Sequence, residues 1–173
     1  ISNISLAMQS DEIVGLLGPN GAGKSTCFGI LAGLIQADSG EIFLDSEDIT
    51  SLAMHSRSLS GLTYLPQEPS VFRELSTEDN LKALIEYRND LNREQKHDLC
   101  HRLLEEFGLV EIENVLGRNL SGGERRRLEI ARTLTSDPKF ILLDEPFAGI
   151  DPISLGDIKT QIDFLRKRDI GIL

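Results

Sequence analysis

The sequence lacks long apolar runs, an excess of basic residues and closely spaced cysteines. No stretch approaches the roughly 18 consecutive apolar residues that a membrane-spanning helix needs. The 18 lysines and arginines are outnumbered by 28 acidic residues, which gives a formal net charge of −10. This charge argues against a surface that grips a nucleic-acid backbone. Cys27 and Cys100 lie far apart, so two reduced thiols are expected and a disulfide scaffold is not.

The composition is that of one globular domain. The chain has 173 residues, of which 40% are hydrophobic and 27% are charged, and these fractions exclude a disordered or low-complexity chain. It begins at Ile1 without a methionine and ends in the β-prone residues 170–173. A natural terminus inside a core strand would be unusual, so the chain is expected to be a fragment.

Strands and helices are predicted to alternate along the chain. Apolar runs predict strands near residues 1–6, 12–17, 40–44, 61–65, 139–143 and 170–173. Helical spacing predicts helices near residues 24–34, from 76 onward, and near 93–107, 121–135 and 152–168. This alternation is typical of an α/β fold with a mostly parallel sheet flanked by helices. Residues 76–117 are a predicted helical insert between two parts of the core, residues 1–75 and 118–173.

A glycine-rich segment from Gly18 to Ser25 lies between a predicted strand and a predicted helix. It reads Gly-Pro-Asn-Gly-Ala-Gly-Lys-Ser and fits the pattern of a phosphate-binding loop. Its glycines let backbone N–H groups surround an anion, and the helix N-terminus adds positive potential. Lys24 supplies a cation for the outer phosphates of a nucleotide, and the Ser25 hydroxyl suits Mg²⁺. The segment therefore predicts a nucleotide phosphate site.

Two carboxylates follow the strand predicted at residues 139–143. Asp144 and Glu145 end its apolar run, and in a parallel sheet that end lies beside the phosphate loop. Asp144 is predicted to hold Mg²⁺ through water, and Glu145 to orient or deprotonate an attacking water. Neighbouring side chains on a strand diverge, so each carboxylate is expected to have its own role. If the phosphate loop at residues 18–25 were absent, Asp144 and Glu145 would be better interpreted as an acidic turn after a strand.

A second anion-binding helix start is predicted at Ser121. Ser121, Gly122 and Gly123 precede Glu124 at the start of a predicted helix, and this segment has no lysine of its own. Two phosphate-binding surfaces that share one lysine suggest that two chains each contribute half of a site.

With these motifs, the sequence resembles the ATP-binding cassette (ABC) ATPases. The matching segments, in the family's order, are residues 18–25 (Walker A), Gln67 (Q-loop), residues 120–124 (signature), residues 140–145 (Walker B) and residues 148–151 (D-loop). The resemblance implies a P-loop NTPase fold, with a RecA-like core interrupted by a helical subdomain.

The resemblance also implies that ATP is bound between two chains paired head to tail. The residues expected to contact ATP are Gly18, Pro19, Asn20, Gly21, Ala22, Gly23, Lys24, Ser25 and Thr26 of one chain, with Ser121, Gly122, Gly123, Glu124 and Asp151 of the other. Ser25, Gln67 and Asp144 are expected to hold Mg²⁺. Glu145, Gln67 and Lys24 are expected to take part in catalysis.

Two further residues of the family pattern are expected outside this chain. The adenine-stacking aromatic precedes the position of Ile1, and the switch histidine follows that of Leu173. The chain alone is therefore expected not to hydrolyse ATP, whereas the intact protein is expected to do so.

Three longer segments resemble the ATPases of lipopolysaccharide exporters in Gram-negative bacteria: residues 61–76, 120–132 and 138–154. That resemblance implies a homodimer beneath two membrane subunits, on the cytoplasmic face of the inner membrane, that powers lipopolysaccharide extraction. The alternative is the ATPase of a branched-chain amino acid importer, which shares the phosphate loop. An ABC ATPase that acts on ribosomes or DNA fits less well.

Two groups of residues are expected at interfaces. Val71, Phe72 and Arg73 follow the Q-loop, and we hypothesise that they line the groove for a helix of a membrane subunit. A loop packed into the domain's own core is nearly as good an interpretation. The triplet Arg125–Arg127 is expected to form a solvated or interface face, because a nucleic-acid contact fits poorly with an acidic chain.

Overall fold

The fold is an α/β arrangement of five short strands and six α-helices within the described residues. The computed structural model describes residues 3–148 and 154–173. The strands are β1 (Phe43–Leu44), β2 (Glu47–Asp48), β3 (Leu62–Leu65), β4 (Phe140–Leu143) and β5 (Gly171–Ile172). The α-helices are α1 (Lys24–Ala32), α2 (Met54–Ser60), α3 (Thr77–Ile85), α4 (Arg93–Glu106), α5 (Gly122–Thr133) and α6 (Ser154–Arg166). None of them is long and apolar enough to cross a membrane.

A parallel sheet forms the centre of the fold. Its strands lie in the order β3–β4–β5, and both pairings are parallel. Leu65 at the end of β3 is opposite Leu143 at the end of β4, and the central Ile141 is fully buried. Because the two strands run in the same direction, the residues that follow them emerge at one edge of the sheet. The predicted α/β class with a mostly parallel sheet is confirmed.

The strand predicted at residues 12–17 is reduced to a single bridge. Ile13 pairs in parallel with Ile172, and the N–H of Val14 donates to the carbonyl of Ile172 at 2.8 Å. Ile4 and Leu6 lie in an irregular segment and are about half exposed. The prediction of full strands here was wrong: residues 12–17 form one bridge to the sheet, and residues 3–6 form none within the described part of the chain.

A β-hairpin and a helix were not predicted from the sequence. The expected strand at 40–44 is shortened to β1, which pairs antiparallel with β2. Asp45 and Ser46 connect them with φ of 48° and 70°, as a two-residue turn of the primed type requires. Since the turn lacks the usual Asn-Gly or Asp-Gly pair, its sequence gave no hairpin signal. Helix α2 follows this hairpin.

The predicted helices form, with their ends set by capping residues. The Ser76 hydroxyl accepts from the Asp79 N–H at 3.0 Å at the start of α3. Asn92 and Gln95 form a reciprocal capping box at the start of α4. Helix α1 ends two residues earlier than predicted, because Gly33 adopts a left-handed C-cap with φ of 79°.

The two cysteines are free, as predicted. Cys27 and Cys100 are both buried, and burial raises the pKa of the Cys100 thiol to about 11. This thiol is therefore protonated at neutral pH and unreactive in the folded protein.

Helices α3 and α4 pack into the same hydrophobic core as the sheet. Leu81 of α3 and Leu103 of α4 belong to one buried cluster with Leu128 and Ile141. The division into a core and a helical subdomain at residues 76–117 stays a prediction.

A buried amide and a glycine hold the loop between β3 and α3 against residues 115–118. Asn80 is fully buried, and its Oδ1 accepts from the Phe72 N–H at 2.8 Å while its Nδ2 donates to the Phe72 carbonyl at 3.0 Å. The Gly117 N–H donates to the Leu75 carbonyl at 2.9 Å. A Cβ atom at Gly117 would lie 2.7 Å from the carbonyl oxygen of Phe72, so only glycine allows this approach.

We predict that Gly117→Ala destabilises the fold by about 1–3 kcal/mol, the usual cost of overpacking against backbone. Gly156→Ala is the matched control, because a Cβ there meets no atom within 4 Å. Urea unfolding of both variants measures the difference. If Gly117→Ala were as stable as the wild-type protein, the loop between β3 and α3 could move away from the added methyl group, and the prediction would be wrong.

Candidate nucleotide site

The phosphate loop curls around the ammonium group of its own lysine. Lys24 begins α1, and its Nζ donates to the carbonyls of Gly18 and Pro19 at 2.9 and 3.1 Å. Gly21 and Gly23 have φ of 79° and 95°, a backbone region that L side chains rarely adopt. The left-handed glycines and the helix start expected for an anion site are therefore both present.

Asp144 and Glu145 follow β4 and lie in different environments. Asp144 is buried, and its N–H continues the sheet by donating to the Leu65 carbonyl at 3.0 Å. The Tyr64 hydroxyl donates to Asp144 Oδ2 at 3.4 Å, and burial together with the Asp144 charge raises the pKa of Tyr64. Glu145 is exposed and has a φ of 46°, which few non-glycine residues adopt.

Gln67 meets Glu145 across the carboxyl edge of the sheet. Gln67 follows β3 and Glu145 follows β4, and Gln67 Nε2 donates to Glu145 Oε2 at 2.9 Å. The parallel pairing of the two strands brings together two residues that are 78 positions apart in sequence.

Three predicted metal ligands line one open cleft of about 380 Å³. Ser25, Gln67 and Asp144 lie on its walls with Tyr64. Hydroxyl, amide and carboxylate oxygens are ligands that Mg²⁺ accepts, so this donor set fits the ion. Within the described residues, no three His, Cys, Asp or Glu side chains are grouped to hold a metal by themselves. A magnesium ion here would therefore need phosphate oxygens as well.

Ser121 caps α5 and leaves its hydroxyl at the surface. Its Oγ accepts from the Glu124 N–H at 3.3 Å, while Glu124 Oε2 accepts from the Ser121 N–H at 2.8 Å. These bonds lower the pKa of Glu124. Ser121 and Gly122 are exposed, and Gly123 is buried. None of the residues 121–124 lines the cleft of Ser25 and Asp144. Asp151, expected to join that site, lies outside the described residues.

The expectation that residues 125–127 form a solvated or interface face was wrong for the middle arginine. Arg126 is only 7% exposed, and its Nη1 donates to Glu129 Oε2 at 3.1 Å. The helical period explains the difference, since residue 126 of α5 faces the core while its neighbours do not.

Val71 is buried in the core, so it cannot be part of the hypothesised membrane-subunit groove. Phe72 is 43% exposed, and Arg73 is exposed. The guanidinium of Arg132 lies over the Phe72 ring at 4.5 Å from its centroid. The surface that remains is Phe72 and Arg73.

Two features were not predicted from the sequence: the hydrogen bond from Tyr64 to Asp144, and the contacts of Glu129 and Arg132 with Ser70 in the Q-loop segment, residues 66–72. The sequence did contain a signal for the contacts made by Glu129 and Arg132. Arg126, Glu129 and Arg132 are charged residues three apart in a predicted helix, so they share one face.

Comparison with known proteins decides the family. The ABC transporter family model matches residues 1–148. The chain belongs to the ABC transporter ATP-binding family. Relatives of this ABC chain include the lipopolysaccharide export system ATP-binding protein LptB of Haemophilus influenzae, which is 55% identical over 173 residues. LptB of Escherichia coli K12 is 53% identical over the same length. Both alignments cover 100% of the chain and 72% of the relative.

Solved ABC cassettes share the fold. CbiO1 of Clostridium perfringens, part of the transporter complex cbiONQ, superposes with a TM-score of 0.86 at 27% identity, over 98% of this chain and 68% of that one. A dimeric post-hydrolysis state of the cassette MJ0796, bound to ADP and Pi, has a TM-score of 0.83 at 25% identity, over 98% of this chain and 76% of that one. The predicted P-loop NTPase fold of the ABC type is confirmed.

Proposed function

We propose that this ABC chain is the ATP-hydrolysing subunit of a lipopolysaccharide exporter. The observation that carries the proposal is 55% and 53% identity, over all 173 residues, to two proteins named for lipopolysaccharide export. The site geometry supports the ATPase part, because the phosphate loop, Gln67, Asp144 and Glu145 meet at one edge of the sheet. Since both relatives are named for lipopolysaccharide export, they do not support the alternative function, the ATPase of a branched-chain amino acid importer.

The phosphate loop supplies the binding of ATP in this proposal. The N–H groups of residues 20–26, at the start of α1, would face the phosphates, and Lys24 would exchange two backbone carbonyls for phosphate oxygens. Ser25, Gln67 and Asp144 would hold Mg²⁺, which neutralises charge on the outer phosphates when bound.

Glu145 is the residue that acts on the attacking water. It is exposed, and within the described residues its carboxylate accepts one hydrogen bond, from the Gln67 amide, so the carboxylate is free to accept a proton or orient a water. Its left-handed backbone separates it from the buried Asp144, which leaves the two carboxylates with distinct roles.

A second copy of the chain completes the site. Ser121 and Gly123 lie at the start of α5, away from the cleft, and a head-to-tail partner would bring its own pair to the γ-phosphate. Asp151 of the partner would contact the same site. The dimeric state of the related cassette MJ0796 supports this arrangement.

We predict that, in the intact protein, Glu145→Gln binds ATP and forms the dimer but loses at least about 100-fold in turnover, because the amide cannot act as a base. Glu111→Gln, an exposed substitution in the helical insert, is the control. ATP binding by filter assay and phosphate release by a coupled assay separate the two steps. Normal phosphate release by Glu145→Gln would show that Glu145 does not act on the attacking water.

The exposed pair Phe72 and Arg73 is the proposed contact for a membrane subunit. The main chain of Phe72 is fixed by the buried Asn80, while the ring stays 43% exposed under Arg132. A fixed backbone that presents an aromatic ring beside a cation suits a helix-in-groove contact with a partner helix.

We predict that Phe72→Ala blocks lipopolysaccharide delivery to the outer membrane while leaving ATP affinity within about twofold, since the phosphate loop does not touch Phe72. Tyr87→Ala is the control, because Tyr87 is an aromatic residue of the neighbouring helical insert and is 80% exposed. Cells depleted of the native protein and supplied with each variant give the measurement. Normal delivery with Phe72→Ala contradicts this contact, and normal delivery without any copy of the protein contradicts the proposed function.

A further inference from the structure

One face of α5 carries three charged side chains that contact the Q-loop segment, residues 66–72. Arg126, Glu129 and Arg132 are spaced three apart along the helix. Arg126 and Glu129 are 7% and 4% exposed, and burial lowers the pKa of Arg132. Charged groups are removed from water to this degree only when they are paired and hydrogen-bonded.

Glu129 is the central member of this group because both of its oxygens are used. Oε1 accepts from the Ser70 N–H at 2.9 Å, and Oε2 accepts from Arg126 Nη1 at 3.1 Å. The Ser70 carbonyl in turn accepts from Arg132 Nη1. The carboxylate therefore fixes the far end of the segment that carries Gln67.

Arg126 connects the same carboxylate to both sides of the cleft. Its Nη1 also donates to the Pro66 carbonyl at 3.3 Å, and its Nε donates to the Pro146 carbonyl at 3.3 Å. Pro66 precedes Gln67 and Pro146 follows Glu145. One buried ion pair thus holds the backbone next to each of the two residues that meet in the Gln67–Glu145 hydrogen bond.

We infer that Glu129 is a positioning residue for ATP hydrolysis, acting through Arg126 and Ser70 on the placement of Gln67 and Glu145. The inference rests on the proposed function. Glu129 bonds to Ser70 and Arg126 and does not itself line the cleft of Ser25 and Asp144, so we expect it to affect the hydrolysis step more than the capture of ATP. Displacing a reacting group by about 1 Å costs roughly 100-fold in rate, and the charge-assisted bonds of a buried carboxylate limit such displacement.

The test is Glu129→Gln in the protein purified with its membrane subunits. A glutamine keeps the size of the side chain but has only one acceptor oxygen, so its NH₂ group must face either the Ser70 N–H or the Arg126 guanidinium, and one of the two hydrogen bonds is lost. We expect the turnover number to fall about 10- to 100-fold while ATP affinity stays within about twofold. Hydrogen exchange of residues 66–72 should become about tenfold faster, with exchange in α4 unchanged.

Glu106→Gln is the matched control. Glu106 also pairs with a distant arginine, its Oε1 accepting from Arg168 Nη2 at 2.8 Å, but this pair lies away from the cleft. The Glu106→Gln variant is expected to be less stable in urea unfolding but to keep the wild-type turnover per folded molecule. Glu129→Asp, which keeps the charge but is one methylene shorter, is measured in the same way if Glu129→Gln does not fold.

Unchanged turnover in the Glu129 variants, or a loss matched by an equal loss of folded protein and ATP affinity, overturns the inference. A wild-type protein that does not hydrolyse ATP overturns the proposed function instead, so the two failures are distinguishable.

Discussion

The parallel pairing of β3 with β4 is the constraint on which the rest of the site depends. It places Leu65 opposite Leu143, so the chain leaves both strands at one edge of the sheet. Gln67 and Glu145 then meet in a hydrogen bond, and Asp144 joins Ser25 on the wall of one cleft. An antiparallel pairing would send the Gln67 segment to the opposite end of β4, and no cleft with these walls would exist.

Helix α5 combines two tasks that the sequence presents as separate. Its first turn displays Ser121 at the surface, and its inner face holds the Q-loop segment through Glu129. Because a helix is a stiff rod, a shift of Phe72 by a partner would reach Ser121 through the same element. The proposed contact for a membrane subunit and the proposed surface for a second chain would thereby be linked through one helix.

Local signals in the sequence predicted the parts of the site that local chemistry determines. A few neighbouring residues are enough to infer the roles of the glycines around Lys24, of the carboxylates after an apolar strand and of the capping residue Ser121. Contacts between distant segments were not predictable in this way. The burial of Arg126 and Val71 depends on which face the core covers, and the hairpin at Asp45 uses a turn without its usual glycine.

The central claim is that each chain holds half of a site, with Lys24 on one half and Ser121 on the other. Co-expression of Lys24→Ala with Ser121→Arg tests it most directly, because a mixed dimer then keeps one unaltered site and each unmixed dimer keeps none. We expect the mixed sample to trap an amount of nucleotide well above the average of the amounts that the two variants trap alone. Trapping equal to that average would contradict the two-chain site.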